Sequence, residues 1–223
     1  MNQNPMEEKM KKNLSLLAAF LVVGCWAAPA SAADHYVSGM AGISWMNDVN
    51  MDSAYNYEGE DSGEDLSLGS GLTLLGAIGC DYGDYRLEAE VGYQKNDVKD
   101  ITYNYNGDDS ASFDMDGDVS VLSLMANGYY DFDLGGVELY ATAGVGVAQV
   151  SMDNIGEDGS DYSEDLNETT LAYQVGAGLA APIADNVKLD LRYRYFATTD
   201  FTAYYSNMNV DSHSVLLGVR VGF

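Results

Sequence analysis

Basic residues are the first shortage in this chain: ten Lys and Arg stand against 35 Asp and Glu, a formal net charge of −25 over 223 residues. A chain of that sign repels phosphate backbones, which excludes nucleic acid as a partner, and it lacks the clustered Lys and Arg needed to dock on an anionic leaflet. There are two histidines, His35 and His213, so general bases for catalysis are scarce. Two cysteines, Cys25 and Cys80, make no disulfide framework, and Cys80 has no His, Cys or Asp at metal-ligand spacing. Beyond residue 32 no apolar run reaches roughly eighteen residues, which excludes a helical membrane span. Proline is rare while glycine and tyrosine are abundant, at 24 and 17, and the mean hydropathy is near neutral despite the charge. That combination suits strands with one apolar face in a single domain, not disorder.

The N-terminus sets the compartment. Lys9, Lys11 and Lys12 precede an apolar run over 14–26, and Pro29-Ala30-Ser31-Ala32 supplies small residues for signal-peptidase cleavage after Ala32. Residues 1–32 are therefore expected to be a Sec-pathway signal peptide, with Met10 a better start than Met1 because Glu7 and Glu8 do not belong in a positive n-region. Val22-Val23-Gly24-Cys25 also fits a lipidation box, but the segment after Cys25 stays apolar and reaches the cleavage site. The domain is then 33–223.

What is present is alternation. Apolar residues recur at every second place over 36–46, 70–82, 85–98, 118–132, 137–152, 169–181, 187–199 and 209–223, eight strand-length segments. Short connections at 83–84, 133–136 and 182–186 alternate strictly with long ones at 47–69, 99–117, 153–168 and 200–208. Short turns on one rim and long loops on the other are the arrangement of outer-membrane barrels. The expected fold is all-β: an eight-stranded antiparallel up-and-down transmembrane β-barrel.

Alternation leaves open which face meets lipid. The last segment puts Val215, Leu217, Val219, Val221 and Phe223 on one face and Ser214, Leu216, Gly218, Arg220 and Gly222 on the other. Tyr82, Tyr85, Tyr130, Phe132 and Phe223 fall at the turn side, and Trp45, Tyr93, Tyr173 and Tyr195 towards the loop side, as interfacial girdles require. With lipid outside, Arg86, Lys188, Arg192, Arg194 and Arg220 point inward, where Glu88, Glu90, Glu138 and Asp190 can oppose them. A paired charge in a polar lumen costs far less than the about 2–4 kcal/mol of one at the lipid midplane.

Three segments carry a family resemblance: Tyr36-Val37-Ser38-Gly39 through Ser44-Trp45-Met46-Asn47-Asp48, Gly76-Ala77-Ile78-Gly79-Cys80-Asp81-Tyr82 through Arg86-Leu87-Glu88-Ala89-Glu90-Val91-Gly92-Tyr93, and His213-Ser214-Val215-Leu216-Leu217-Gly218-Val219-Arg220-Val221-Gly222-Phe223. On these the chain resembles the small outer-membrane barrels of the opacity-protein type, which share the fold of the barrel domain of the major outer-membrane structural protein. The resemblance implies the bacterial outer membrane as location, its lipid and lipopolysaccharide as surroundings, a monomer, and Phe223 as the signal read by the barrel-assembly machinery. Cys80 stands where an aromatic is expected. Nothing follows Phe223, so no peptidoglycan-binding domain is expected.

The long connections are acidic: Asp48, Asp52, Glu58, Glu60, Asp61, Glu64 and Asp65 in the first, Asp100, Asp108, Asp109, Asp114 and Asp116 in the second, and Asp153, Glu157, Asp158, Asp161, Glu164, Asp165 and Glu168 in the third, with Lys99 their one base. They read first as a solvated, repulsive surface. Asp114, Asp116 and Asp118 have the spacing of a partial calcium loop, so Ca2+ is the one cofactor considered. Tyr55, Tyr57, Tyr103, Tyr105 and Tyr162 among the acids suit an extracellular ligand or host surface. The expected role is structural or surface-interacting, adhesin- or antigen-like, and not enzymatic. The alternatives are a narrow gated small-solute or ion channel, which the side-chain-filled lumen of an eight-stranded barrel disfavours, and a lipid-modifying enzyme built on Ser and His, which the opposite faces of His213 and Ser212 and Ser214 oppose.

Overall fold

A computed structural model describes residues 34–47, 49–51, 63–105, 109–157, 164–203 and 206–223. Every described element is a strand: β1 (Asp34–Met46), β2 (Val49–Met51), β3 (Gly63–Asp81), β4 (Tyr85–Tyr105), β5 (Asp109–Asp133), β6 (Glu138–Glu157), β7 (Glu164–Ala184), β8 (Val187–Thr198), β9 (Phe201–Ala203), β10 (Ser206–Met208) and β11 (Asp211–Gly222). The eight long strands pair antiparallel in the order β1-β11-β8-β7-β6-β5-β4-β3, and β1 also pairs with β3, closing the barrel. Closure removes every long edge from the membrane-spanning part, as an environment without water demands. The segment 1–32, expected to be a signal peptide, lies outside the described residues.

The turn-side connections are tight for local reasons. Gly83, Gly135 and Gly136 take φ of 95°, 80° and 123°, values open to glycine at little steric cost. The Asp81 and Asp133 carboxylates accept the backbone N–H of Gly83 and Gly135 at 2.9 and 2.7 Å, the local bond that makes Asp a turn residue.

Side-chain exposure fixes the parity. Val145, Leu171 and Leu217 are 67%, 62% and 55% exposed, whereas Arg86, Glu90 and Arg192 are 1%, 1% and 2%. A water-soluble barrel would have the opposite segregation; here the apolar face is the outer one, against lipid. Outer aromatics gather at the turn side, where the rings of Tyr85 and Tyr130 lie 5.1 Å apart and those of Tyr130 and Phe132 4.6 Å.

The loop-side boundaries differ from the sequence expectation. β3 begins at Gly63, β4 runs to Tyr105, β5 starts at Asp109, β6 ends at Glu157 and β7 begins at Glu164, so much of the three acidic connections is ladder. Short strands form on the loop side as well, β2 on β3 in the first connection and β9 with β10 in the fourth. The reason is that alternation reports a lipid-facing side. Beyond the membrane no hydrocarbon selects one apolar face and the pattern fades, while Ile101, Thr102, Tyr103, Tyr105 and Phe113 still favour extended backbone. Register shifts fall at neighbouring places on four strands, between Ser67 and Gly71, Asp97 and Asp100, Asp116 and Asp118, and Met152 and Ile155. This partial ring of bulges divides the barrel from a crown of continuing strands, bulges being common at barrel rims.

The core is the lumen. Two inward tyrosines lie across glycines: a Cβ at Gly79 would stand 2.3 Å from Tyr36 Cζ, and one at Gly178 2.3 Å from Tyr140 Cζ. The missing side chains make room for rings whose hydroxyls then reach lumen acids.

Candidate functional site

Three regions carry the polar chemistry of the described chain: the lumen, the outer loop-side rim and the crown. In the lumen, strand alternation turns Arg86, Glu88 and Glu90 of β4 and Lys188, Asp190, Arg192 and Arg194 of β8 to one interior. At the turn-side end Glu138 accepts Lys188 Nζ and Arg220 Nη2, each at 2.6 Å. Arg86 forks onto Asp131 through Nε at 2.6 Å and Nη2 at 2.8 Å, the bidentate geometry a planar guanidinium favours. Its charge also lies 4.2 Å from the centre of the Tyr129 ring and 5.1 Å from that of Tyr140.

One layer up, Glu88 accepts the hydroxyls of Tyr36 at 2.9 Å and Tyr129 at 2.5 Å. Asp190 accepts that of Tyr140 at 2.5 Å and lies 3.5 Å from Arg220. Arg192 donates to Glu90 at 2.9 Å, and Gln174 donates to Glu90 at 3.0 Å and to Asn127 at 2.7 Å. Arg194 lies 3.9 Å from Glu90 and donates to Gln94 at 3.1 Å. The nine charged residues named from the sequence thus line one interior. The network has further members beyond these nine: Asp131, the hydroxyl donors Tyr36, Tyr129 and Tyr140, and the amides of Gln94, Asn127 and Gln174. The same alternation carried the signal, since Asp131 sits between outward Tyr130 and Phe132, and Tyr36 precedes outward Val37.

Above the ion pairs the lumen is filled by apolar side chains interleaved with neutral polar ones, among them Ser44, Asn96 and Ser212. Met46, Val119, Val121, Val150, Phe196 and Val210 are all 6% exposed or less, and Met40, Leu75 and Leu216 cluster below them. A conduit would have to part these layers as well as the salt bridges. At the turn-side mouth a vestibule of about 710 Å³ is lined by acids including Asp81, Asp84 and Asp133.

Ser212 and Ser214 are buried in the lumen while His213 is on the outer face, its Nδ1 2.6 Å from the Tyr193 hydroxyl. Neither flanking serine hydroxyl shares a face with the imidazole, so the Ser–His pair weighed for lipid chemistry does not form here. Cys80 is buried, and Phe223 is 73% exposed, its backbone N–H held by the His35 carbonyl at 2.8 Å.

The calcium candidates Asp114, Asp116 and Asp118 all lie in β5. Asp118 faces outward and pairs with Lys95; the side chains of the other two are outside the described set. In the crown, acidic positions are register partners across strands: Asp100 with Asp114, Asp97 with Asp118, and Asp118 with Asp153. Asp48, Asp52, Glu58, Glu60, Asp61, Asp108, Asp158 and Asp161, with Tyr55, Tyr57 and Tyr162, lie outside the described residues.

A closed eight-stranded barrel with an apolar exterior, aromatic rims and a charged, filled lumen is a transmembrane barrel of the bacterial outer membrane. The chain belongs to the outer membrane protein beta-barrel domain family, which residues 16–223 match. It is 27% identical to the outer membrane protein PagN of Salmonella typhimurium, over 95% of this chain and 100% of that one. It is 30% identical to RT0816 of Rickettsia typhi, a protein provisionally named an adhesin, over 46% of this chain and 51% of that one. Among solved structures, Neisserial surface protein A superposes with a TM-score of 0.54 at 23% identity, covering 85% of this chain and 97% of that one, a likeness of fold. The opacity-type resemblance falls within this family.

Proposed function

We propose that this barrel is a surface-interaction protein whose acidic crown meets a basic patch on a partner outside the cell. The observation that carries this is the continuation of β3 to β7 past the bulges, which holds the described acidic residues of these connections on strands. A preordered surface loses less entropy on binding, and relatives of the chain are provisionally named adhesins. The lumen network and the side chains packed above it then serve to keep the support rigid.

The test is to shorten the crown at its own register. Replacing 103–111 by Asn-Gly joins the cross-strand partners Thr102 and Ser112, and replacing 153–165 joins Met152 and Leu166. Both variants are expected to keep the heat-dependent gel shift of a folded barrel. Cells carrying them should adhere to epithelial monolayers about tenfold less, and added salt should weaken adhesion by the unaltered chain. Full adhesion by both variants would refute the reading.

A second reading has its own observation. Carboxylates opposed across strands repel, and the row Asp97, Asp118, Asp153 spans three strands, where a hard divalent cation would relieve the repulsion. Millimolar calcium is then expected to slow proteolysis of the β4–β5 and β6–β7 hairpins, and Asp118→Asn should remove most of that protection. Equal cleavage with calcium and with chelator would sink it.

A further inference from the structure

On the outer face of the barrel, at the loop-side girdle, one basic group stands among aromatic rings. His213 of β11 is the cross-strand partner of Trp45 on one side and of Tyr195 on the other. Its imidazole stacks on Tyr193 with centroids 6.0 Å apart and leans on Tyr195 at 5.1 Å. The Tyr193 hydroxyl holds Nδ1 at 2.6 Å; in the Nε2–H tautomer the phenol donates and Nε2 is the ring's remaining donor. Among the described residues nothing hydrogen-bonds to Nε2. Trp45 is 46% exposed and Tyr193 49%, so the rings form an open patch.

The nearby carboxylate has a hydrogen-bond partner of its own. Asp211, two residues before His213 and also neighbouring Tyr195, accepts a hydrogen bond from Asn47. Elsewhere on this rim the described outward base is Lys95, which pairs with Asp118. His213 is thus the outward base of the loop-side rim left without an acid, among the described side chains.

We propose that His213, with Trp45, Tyr193 and Tyr195, is a binding site for the phosphorylated sugar headgroup of an outer-leaflet glycolipid. Membrane placement commits the patch to this occupant. The loop-side girdle lies at headgroup depth in the outer leaflet, where phosphate is the acceptor suited to an imidazole donor and sugar rings suit flat aromatic faces. Tyr193 presets the ring, so little rotational freedom is lost on binding. The site lies on the lipid-facing wall and is independent of the crown: its failure would leave adhesion intact, and loss of adhesion would leave it standing.

The chain has two tryptophans, Trp26 and Trp45, so in a Trp26→Phe background indole fluorescence reports on Trp45 beside the site. Protein extracted from outer membranes into detergent is titrated with diphosphoryl lipid A, with the same glycolipid stripped of phosphate, and with inorganic phosphate. A saturable Trp45 response is expected for diphosphoryl lipid A, with affinity about tenfold lower for the stripped lipid and for His213→Ala. Tyr193→Phe, which frees the imidazole, should fall between. His213→Gln keeps a donor and guards against misfolding of the alanine variant, and the heat-dependent gel shift checks each protein. Equal affinity for the two lipids, parental affinity in His213→Ala, or the same response from inorganic phosphate at equal concentration would overturn the proposal.

Discussion

Replacing Glu90 by alanine is expected to cost about 3–5 kcal/mol of stability, read as the shift in denaturant midpoint of the folded, heat-modifiable band in detergent. The carboxylate, 1% exposed, accepts from Arg192 at 2.9 Å and from Gln174 at 3.0 Å, and lies 3.9 Å from Arg194. Its removal leaves two buried guanidinium groups short of a counter-charge. Arg192 retains Glu88 at 3.9 Å, but Glu90 is the acid within ion-pair range of Arg194. The loss therefore comes mostly from cations left in a low-dielectric lumen, not from one missing hydrogen bond. Adding Arg192→Ala should recover part of the loss, making Glu90→Ala alone worse than the pair. Simple additivity of the two single variants would refute the coupling. Glu90→Gln, which keeps an acceptor but no charge, should fall between.

The second large effect belongs to the outer wall. Ala143 faces outward on β6, midway between Val137 at the turn-side rim and Gln149 at the loop side. Ala143→Arg is expected to destabilise the barrel by about 2–4 kcal/mol, because its guanidinium must snorkel or drag water to the bilayer midplane, whereas Val137→Arg at the interface should cost about 0–1 kcal/mol. Unfolding from lipid vesicles is the measurement, since a detergent micelle blurs depth. Equal costs at the two positions would mean that Ala143 does not face hydrocarbon, and the orientation would have to be redrawn.

The two predictions draw on different kinds of information. The outward face of Ala143 follows from counting by twos along a segment whose neighbours are apolar. The partners of Glu90 do not. Arg192 is 102 residues away, on a strand that is not a ladder neighbour of β4. The two meet across the lumen at a height set by barrel stagger. Likewise Arg86 faces inward by alternation, but its fork onto Asp131 depends on β4 lying beside β5 in a register that places Arg86 opposite Tyr129. Alternation alone marks the crown as loops because its signal, one apolar face, ends where lipid ends, although the backbone ladder does not.

By itself the sequence determined an eight-stranded antiparallel barrel with short turns on one rim, lipid outside and charge within. Each of these follows from the period-two geometry of an extended chain and the cost of exposing polar groups to hydrocarbon. Only the tertiary structure decided the rest: the tyrosine hydroxyls on Glu88 and Asp190, the side chains packed above the ion pairs, the strands that carry acids beyond the bulges, and His213 among aromatic rings. All of these are meetings between residues distant in the chain, and closing the sheet on itself is what brings them together.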